Sequence, residues 1–204
     1  MKKTALVVCP GRGTYNKAEL GYISNNTNNT GLLAQFDQVR AGLGLATVSG
    51  LDQQPAFSRS VHLKADNAAA LIFAAGVCDY HSINSNHFDV VAVTGNSMGW
   101  YTALGCAGVL APDNGMQLVT DMAQLTADGA GAQFIYPVID DNWQPDINRI
   151  ALVQQQLAIH SSELFMSIVY GGYAVMAGKR KLHPAAKCNA LNRRDTGLPH
   201  ILDS

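Results

Sequence analysis

The stretch Phe88-Asp-Val-Val-Ala-Val-Thr-Gly-Asn-Ser-Met-Gly-Trp-Tyr-Thr-Ala-Leu104 decides the fold. Val90-Val-Ala-Val93 is a short apolar run rich in β-branched residues, as a strand covered on both faces would be. Gly95-Asn-Ser97-Met-Gly99 matches G-x-S-x-G, the nucleophile elbow, in which a serine occupies a sharp turn between strand and helix. The two glycines lack Cβ atoms, so strand and helix can crowd together and Ser97 can take a strained, exposed position. Backbone N–H groups at the start of the next helix then face any carbonyl that Ser97 attacks. Glycine and serine are common, and the pattern alone also fits an ordinary glycine-rich turn. Its placement between a strand and a helix favours the elbow.

Composition narrows the surroundings of that serine. The chain has 204 residues, 48% hydrophobic and 14% charged, enough for one good core and a small appended subdomain. A formal net charge of -1 gives no electrostatic case for nucleic acid or an anionic membrane. Cys9, Cys78, Cys106 and Cys188 are far apart, and the first three lie in apolar segments, as buried thiols in a reducing compartment do. Met1-Lys-Lys-Thr begins like a signal peptide, but the apolar run stops at Pro10-Gly11, and no stretch approaches a membrane span. The expectation is a cytoplasmic protein. Histidines and cysteines show no ligand spacing, so no metal is expected. Without a P-loop or G-x-G-x-x-G, no bound cofactor is expected either.

Along the chain, Ala5-Leu-Val-Val-Cys9 reads as a first buried strand entering the tight loop Pro10-Gly-Arg-Gly13. The loop is either a plain turn or a source of backbone N–H groups for a site. Residues 24–30 are polar and predict a mobile surface loop; residues 32–45 have helical spacing; residues 58–64 read as a polar connector. Residues 66–80 are apolar nearly all round and predict a buried helix beneath the sheet. Further helices are expected to about Cys106 and over 113–126. Composition shifts at residues 127–132, followed by a strand, a helix over 147–158 and two strands joined by Gly171-Gly172, like part of a split βαβ unit. Residues 183–204 are polar and weakly patterned. The expected class is α/β, with a core over 1–130, a small α+β subdomain over 131–190 and a tail over 191–204.

Two motifs in order, Pro10-Gly-Arg-Gly13 and Gly95-Asn-Ser-Met-Gly-Trp-Tyr-Thr-Ala-Leu104, resemble the malonyl-CoA:acyl carrier protein transacylase family, which includes acyltransferase domains of fatty-acid and polyketide synthases. That family carries a P-G-Q-G loop and a G-H-S-x-G-E-Y-x-A-L elbow. The likeness runs over about residues 4–180, through Ala107-Gly-Val-Leu110, Gly131-Ala-Gln133 and Tyr170-Gly-Gly-Tyr-Ala-Val-Met-Ala-Gly178. It implies a three-layer α/β/α core with a mainly parallel sheet and a small ferredoxin-like α+β subdomain. It also implies ping-pong acyl transfer, in which the serine takes an acyl group from acyl-CoA and hands it to the phosphopantetheine thiol of acyl carrier protein. Ser97 would be the nucleophile, and the backbone N–H groups of Met98 and Arg12 the oxyanion hole. Gly11, Asn96, Trp100 and Met122 would border the substrate.

Four departures from the family pattern bear on activity. Arg12 stands where the family loop has Gln, which preserves a backbone donor and changes the side chain. Asn96 replaces the His before the serine, and Trp100 replaces Glu, enlarging and desolvating the region beside the elbow. Met122 stands where malonyl-selective members carry an arginine, and a thioether cannot replace bidentate pairing with a carboxylate. An uncharged acyl group is therefore expected, with Arg12 as the cation that could argue against it. Lastly, the family's catalytic histidine arrives just beyond Leu198-Pro-His200, so the sequence reads either as part of a longer protein or as a truncated product. His200 would serve as base only if the tail folds back onto Ser97. His62, His81, His87, His160 and His183 read as exposed structural residues. Two alternatives remain: an α/β-hydrolase esterase sharing the elbow, and a non-catalytic domain that keeps the fold and binds a carrier protein or synthase partner.

Overall fold

A computed structural model of the chain describes residues 2–26, 28–127 and 131–179, and the backbone alone of 201–202. The chain forms two compact units, residues 1–128 and 129–204.

The first unit begins with β1 (Lys3–Cys9), a 3-10 turn (Lys17–Glu19) and helices α1 (Tyr22–Asn26), α2 (Thr30–Gly42), α3 (Val48–Asp52), α4 (Arg59–His62) and α5 (Ala65–His81). It continues through β2 (Phe88–Gly95), α6 (Gly99–Cys106) and α7 (Pro112–Ala127). β1 and β2 pair in parallel, with Lys3 opposite Phe88 and Cys9 opposite Gly95, and the register shifts once between Ala5 and Leu6. This brings the loop after β1 and the elbow after β2 to the same end of the pair. Helix α6 lies on both strands, while α5 packs chiefly on α7 and α6.

Helix α5 is the centre of the core because it is apolar on every side, with Ala70, Leu71, Phe73, Ala74 and Val77 fully enclosed. Phe73 fixes the helix packing. Its ring meets Phe36 edge to face at 5.5 Å between centroids. Cβ atoms built on Gly105 of α6 and Gly115 of α7 would stand 3.2 Å and 2.5 Å from its Cζ, so both helices leave room for the ring.

Buried polar residues tie the connecting segments to this core. Arg40 is fully enclosed; its Nε donates to the Ala46 carbonyl at 2.6 Å, Nη1 to the Asp66 carbonyl at 3.0 Å and Nη2 to Asn67 Oδ1 at 2.6 Å. Asp52, also enclosed, accepts from the Tyr15 hydroxyl at 2.5 Å and from the backbone N–H groups of Ile23 and Ser24 at 3.2 Å and 2.8 Å. Burial, then the neighbouring Asp52, pushes the Tyr15 phenol far above its ordinary range.

Three local expectations change. Residues 24–26 belong to α1, and the Asn29 side chain caps α2 by accepting from Leu32 N–H, so much of the polar stretch read as a loop is helix and cap. The expected connector at 58–64 contains α4, and its His62 is buried, not exposed. His62 accepts at Nδ1 from Ser58 N–H at 3.0 Å, Nε2 lies 3.1 Å from the Leu51 carbonyl, and the ring stacks on Phe57. Residues 201–202, in the stretch read as unpatterned, form a short strand. Their apolar side chains give too brief a run to register as one in sequence. The expected third layer is not found among the described residues: the sheet of this unit has two strands, and Leu6 and Val8 on its outer face are 59% and 63% exposed.

The second unit contains β3 (Gly131–Pro137), α8 (Ile147–Ile159), β4 (Leu164–Val169), β5 (Tyr173–Lys179) and β6 (Ile201–Leu202). They form an antiparallel sheet in the order β4-β5-β3-β6. Phe134, Tyr136, Val153, Leu164 and Met176 make a separate small core. Among the described residues, no helix is long and apolar enough to cross a membrane, and no cluster of metal-ligating side chains occurs.

Asp52→Ala should lower stability by about 2–3 kcal/mol, because it strands the buried Ile23 N–H, the half-buried Ser24 N–H and the Tyr15 hydroxyl. Thermal melts against Leu125→Ala, an exposed position expected to change by less than about 0.5 kcal/mol, will measure it.

Candidate active site

Two absent side chains build the elbow. A Cβ on Gly95 would lie 2.1 Å from the Gly99 carbonyl oxygen, and one on Gly99 would lie 2.1 Å from the Cys9 carbonyl oxygen. Only glycine at both positions lets the start of α6 pass so close to the ends of β1 and β2. Between them the chain must reverse direction in three residues. Ser97 absorbs the turn at φ +53°, one of two non-glycine residues with positive φ among those described. Such a backbone costs about 1–3 kcal/mol, which the surrounding contacts must hold in place. Asn96 N–H donates to Cys9 O at 3.2 Å, Gly99 N–H to Asn96 O at 2.8 Å, and Trp100 N–H to Ser97 O at 3.1 Å.

The loop after β1 lies against this turn. A Cβ on Gly11 would come within 3.2 Å of the Asn96 carbonyl oxygen and 3.4 Å of Ser97 Cβ. The loop is held by Thr14 Oγ1, which donates to Gly11 O at 3.2 Å, and by Asn16 Nδ2, which donates to Gly13 O at 2.9 Å. Among the described residues, the backbone N–H groups of Arg12 and Met98 have no hydrogen-bond partner. They are available to an incoming oxygen.

A cavity of about 250 Å³ opens beside Ser97, with Arg12, Met98 and Met122 in its wall. Of the residues expected at the substrate, Gly11 and Asn96 touch the elbow, whereas Trp100 is 59% exposed and does not line this cavity. Its neighbour Tyr101 does, and so do Ala69 from α5 and Val119, Ala123 and Thr126 from α7. The α7 residues share one helical face by their spacing of three and four, a signal present in the sequence. That this face turns toward Ser97 is settled only by how α7 packs on α5. Apart from Arg12, every lining residue is uncharged.

Two thiols sit beneath the elbow. Cys9, at the end of β1, and Cys106, at the end of α6, are buried and close enough to interact. Burial raises the Cys9 thiol above its ordinary range, and burial followed by the Cys9 neighbour pushes Cys106 up to about 12. Both therefore remain un-ionised and poor nucleophiles at neutral pH.

No histidine reaches Ser97 among the described residues, and Ser97 Oγ makes no hydrogen bond there. His81 and His87 are exposed, and His62 is engaged elsewhere. His160 belongs to the second unit. His183, Cys188 and the segment Leu198-Pro-His200 lie outside the described residues.

Two outcomes follow from this geometry. Gly99→Ala should destabilise by more than about 3 kcal/mol, because its Cβ meets backbone. Gly42→Ala, with open space around it, should be neutral or slightly stabilising in the same denaturant titration. The raised Cys106 thiol contributes stability that is complete below pH 9 and is lost as pH rises from 9 toward about 12. Cys106→Ala should flatten that slope in melts across this range.

No family model and no curated protein matches the sequence. Solved structures do. The loading acyltransferase of the avermectin modular polyketide synthase aligns with 98% of this chain at TM-score 0.73 and 16% identity, over 61% of its own length. The malonyl CoA-acyl carrier protein transacylase from Burkholderia pseudomallei aligns with all of this chain at TM-score 0.73 and 19% identity, over 65% of its own length. A type II polyketide-synthase malonyl-transacylase, solved in complex with its acyl-carrier protein, aligns at TM-score 0.67 and 20% identity, over 62% of its length. The chain thus spans less than two thirds of each, and over that span it has the fold of malonyl-CoA:acyl carrier protein transacylases and polyketide-synthase acyltransferases.

Proposed function

We propose that the protein moves an acyl group from acyl-CoA to acyl carrier protein through a Ser97 ester, in fatty-acid or polyketide-type biosynthesis in the cytoplasm. The observation that carries this reading is Ser97 itself. It stands exposed at positive φ beside a cavity, where two backbone N–H groups lack partners among the described residues. In the first half-reaction Ser97 Oγ attacks the thioester carbonyl, the Oγ–C bond forms, and coenzyme A leaves as its thiol. The N–H groups of Met98 and Arg12 receive the negative oxygen of the intermediate, and loss of one such donor typically costs about 10²–10³ in rate. In the second half the phosphopantetheine thiol attacks the ester and frees Ser97.

The reaction needs a base for the Ser97 proton, and that group lies outside the described residues. The carrier protein as acceptor is supported by the transacylase solved with its acyl-carrier protein. The second unit, with one helix and an antiparallel sheet, corresponds in this reading to the ferredoxin-like subdomain of the family. Met122, Val119 and Ala123 favour an uncharged acyl group over malonyl, since a carboxylate among these side chains loses its water without gaining a partner from them.

The absence of a base beside Ser97 among the described residues favours a second reading, a non-catalytic domain of the same fold that binds a carrier protein or synthase partner. Incubation with acetyl-CoA followed by mass measurement separates the two. The active reading expects a 42 Da increase, about one acetyl group by simple replacement of a proton, mapped to Ser97 and absent in Ser97→Ala. An unchanged mass selects the binding domain, and release of free acid in place of transfer to carrier-protein thiol selects an esterase. Faster loading from malonyl-CoA than from acetyl-CoA would overturn the uncharged preference and assign the substrate carboxylate to Arg12.

A further inference from the structure

The wall of the cavity beside Ser97 changes character from rim to floor. Arg12 and Thr126 at the rim are exposed, and Met122 is half-buried. The floor is Ala69 of α5 with Val119 and Ala123 of α7, at 1%, 1% and 6% exposure. Helices α5 and α7 pack on each other, and elsewhere along that contact Phe73 fills the space against Gly115. At Ala69 and Ala123 a methyl group is all that either helix puts into the gap. The floor is therefore apolar, enclosed and built of small side chains.

The volume says how much chain fits there. An apolar cavity of about 150 Å³ holds one benzene, which is about 25 Å³ for each carbon. On that scale the cavity of about 250 Å³ takes about ten non-hydrogen atoms. The sulfur and carbonyl oxygen of a thioester at Ser97 occupy part of it, which leaves room for about six to eight carbons. An acetyl group would stop short of Ala69 and Val119 and leave the floor uncovered, whereas each methylene laid against it adds about fourfold in affinity. A polar chain would lose its water there and gain no partner from these side chains. We infer that the acyl group is an aliphatic chain of about six to eight carbons, seated between α5 and α7, with Ala69 and Ala123 setting its length. This rests on the acyl-transfer reading of Ser97 and names its substrate class.

Primary alcohols from ethanol to dodecanol test the cavity by itself, because they carry the chain without coenzyme A or a thioester. Their binding is followed through the methyl NMR signal of Ala69. Affinity should rise about fourfold per methylene up to hexanol or octanol and then level off. Ala123→Leu puts about three more carbons into the cavity and should end the rise about three carbons earlier. Met122→Ala removes about as many atoms and should prolong it by a similar length. The wild-type series stands even if a variant fails to fold. Affinity that is flat from ethanol upward overturns the inference, as does a rise that continues through dodecanol. An end point that neither substitution moves overturns it as well. Loading of Ser97, read by mass, separates this from the reading beneath it. Octanoyl-CoA should acylate Ser97 at least about tenfold faster than acetyl-CoA. Faster loading from acetyl-CoA overturns the chain length and keeps acyl transfer. Alcohols bound as expected by a chain that takes up neither group overturn acyl transfer and keep the chain length that the cavity admits.

Discussion

The contact on which the first unit depends is between three backbones: the end of β1 at Cys9, the end of β2 at Gly95, and the first turn of α6 at Gly99. No side chain fits between them, since Cβ atoms at Gly95 and Gly99 would both fall 2.1 Å from carbonyl oxygens. Once that approach is made, the connection from strand to helix is so short that Ser97 must take a left-handed backbone. The same approach brings the Pro10–Gly13 loop against Asn96 and Ser97. A serine, two N–H groups unpartnered among the described residues and a cavity wall therefore meet as consequences of one packing event.

What holds the three backbones there is the helical layer. Helix α6 is pressed on the strands and backed by α5, whose small residues and buried ring at Phe73 set the distance to α6 and α7. Buried polar anchors, Arg40 with its three acceptors and Asp52 with its three donors, fasten the segments that precede α5. Neither group touches the site. Their effect is to keep the surroundings of a strained turn from relaxing, the usual way such strain is retained. The opposite face of the sheet has no such backing among the described residues, and the contrast between Val7 and Val8 records it.

Much of this was legible in the residues. The apolar runs at 5–9 and 90–93, the all-round apolar helix over 66–80 and the G-x-S-x-G pattern located the strands, the central helix and the tight turn that carries Ser97, because each is a local pattern with a local cause. Short polar elements were less legible. Helices α1 and α4 are five and four residues long, too short for periodicity to register, and are supported by side-chain acceptors, Asp52 for the N–H groups of Ile23 and Ser24 and His62 for that of Ser58. His62 looked like a surface residue because no sequence pattern reveals that Phe57, Ser58 and Leu51 close around its ring.

By itself the sequence determined the elbow, its serine and the glycine-bearing loop that partners it. These depend on which residues lack a Cβ and on neighbours a few positions apart. Only the tertiary structure decided the cavity. Ala69, Tyr101, Val119 and Ala123 come from three helices, and their convergence follows from packing angles that no local pattern encodes. The same holds for Trp100 and Tyr101, adjacent in sequence: a 100° step around α6 sends the first to solvent and the second to the cavity. Which of them meets a substrate is a property of where α6 lies, and α6 lies where Gly95 and Gly99 allow it.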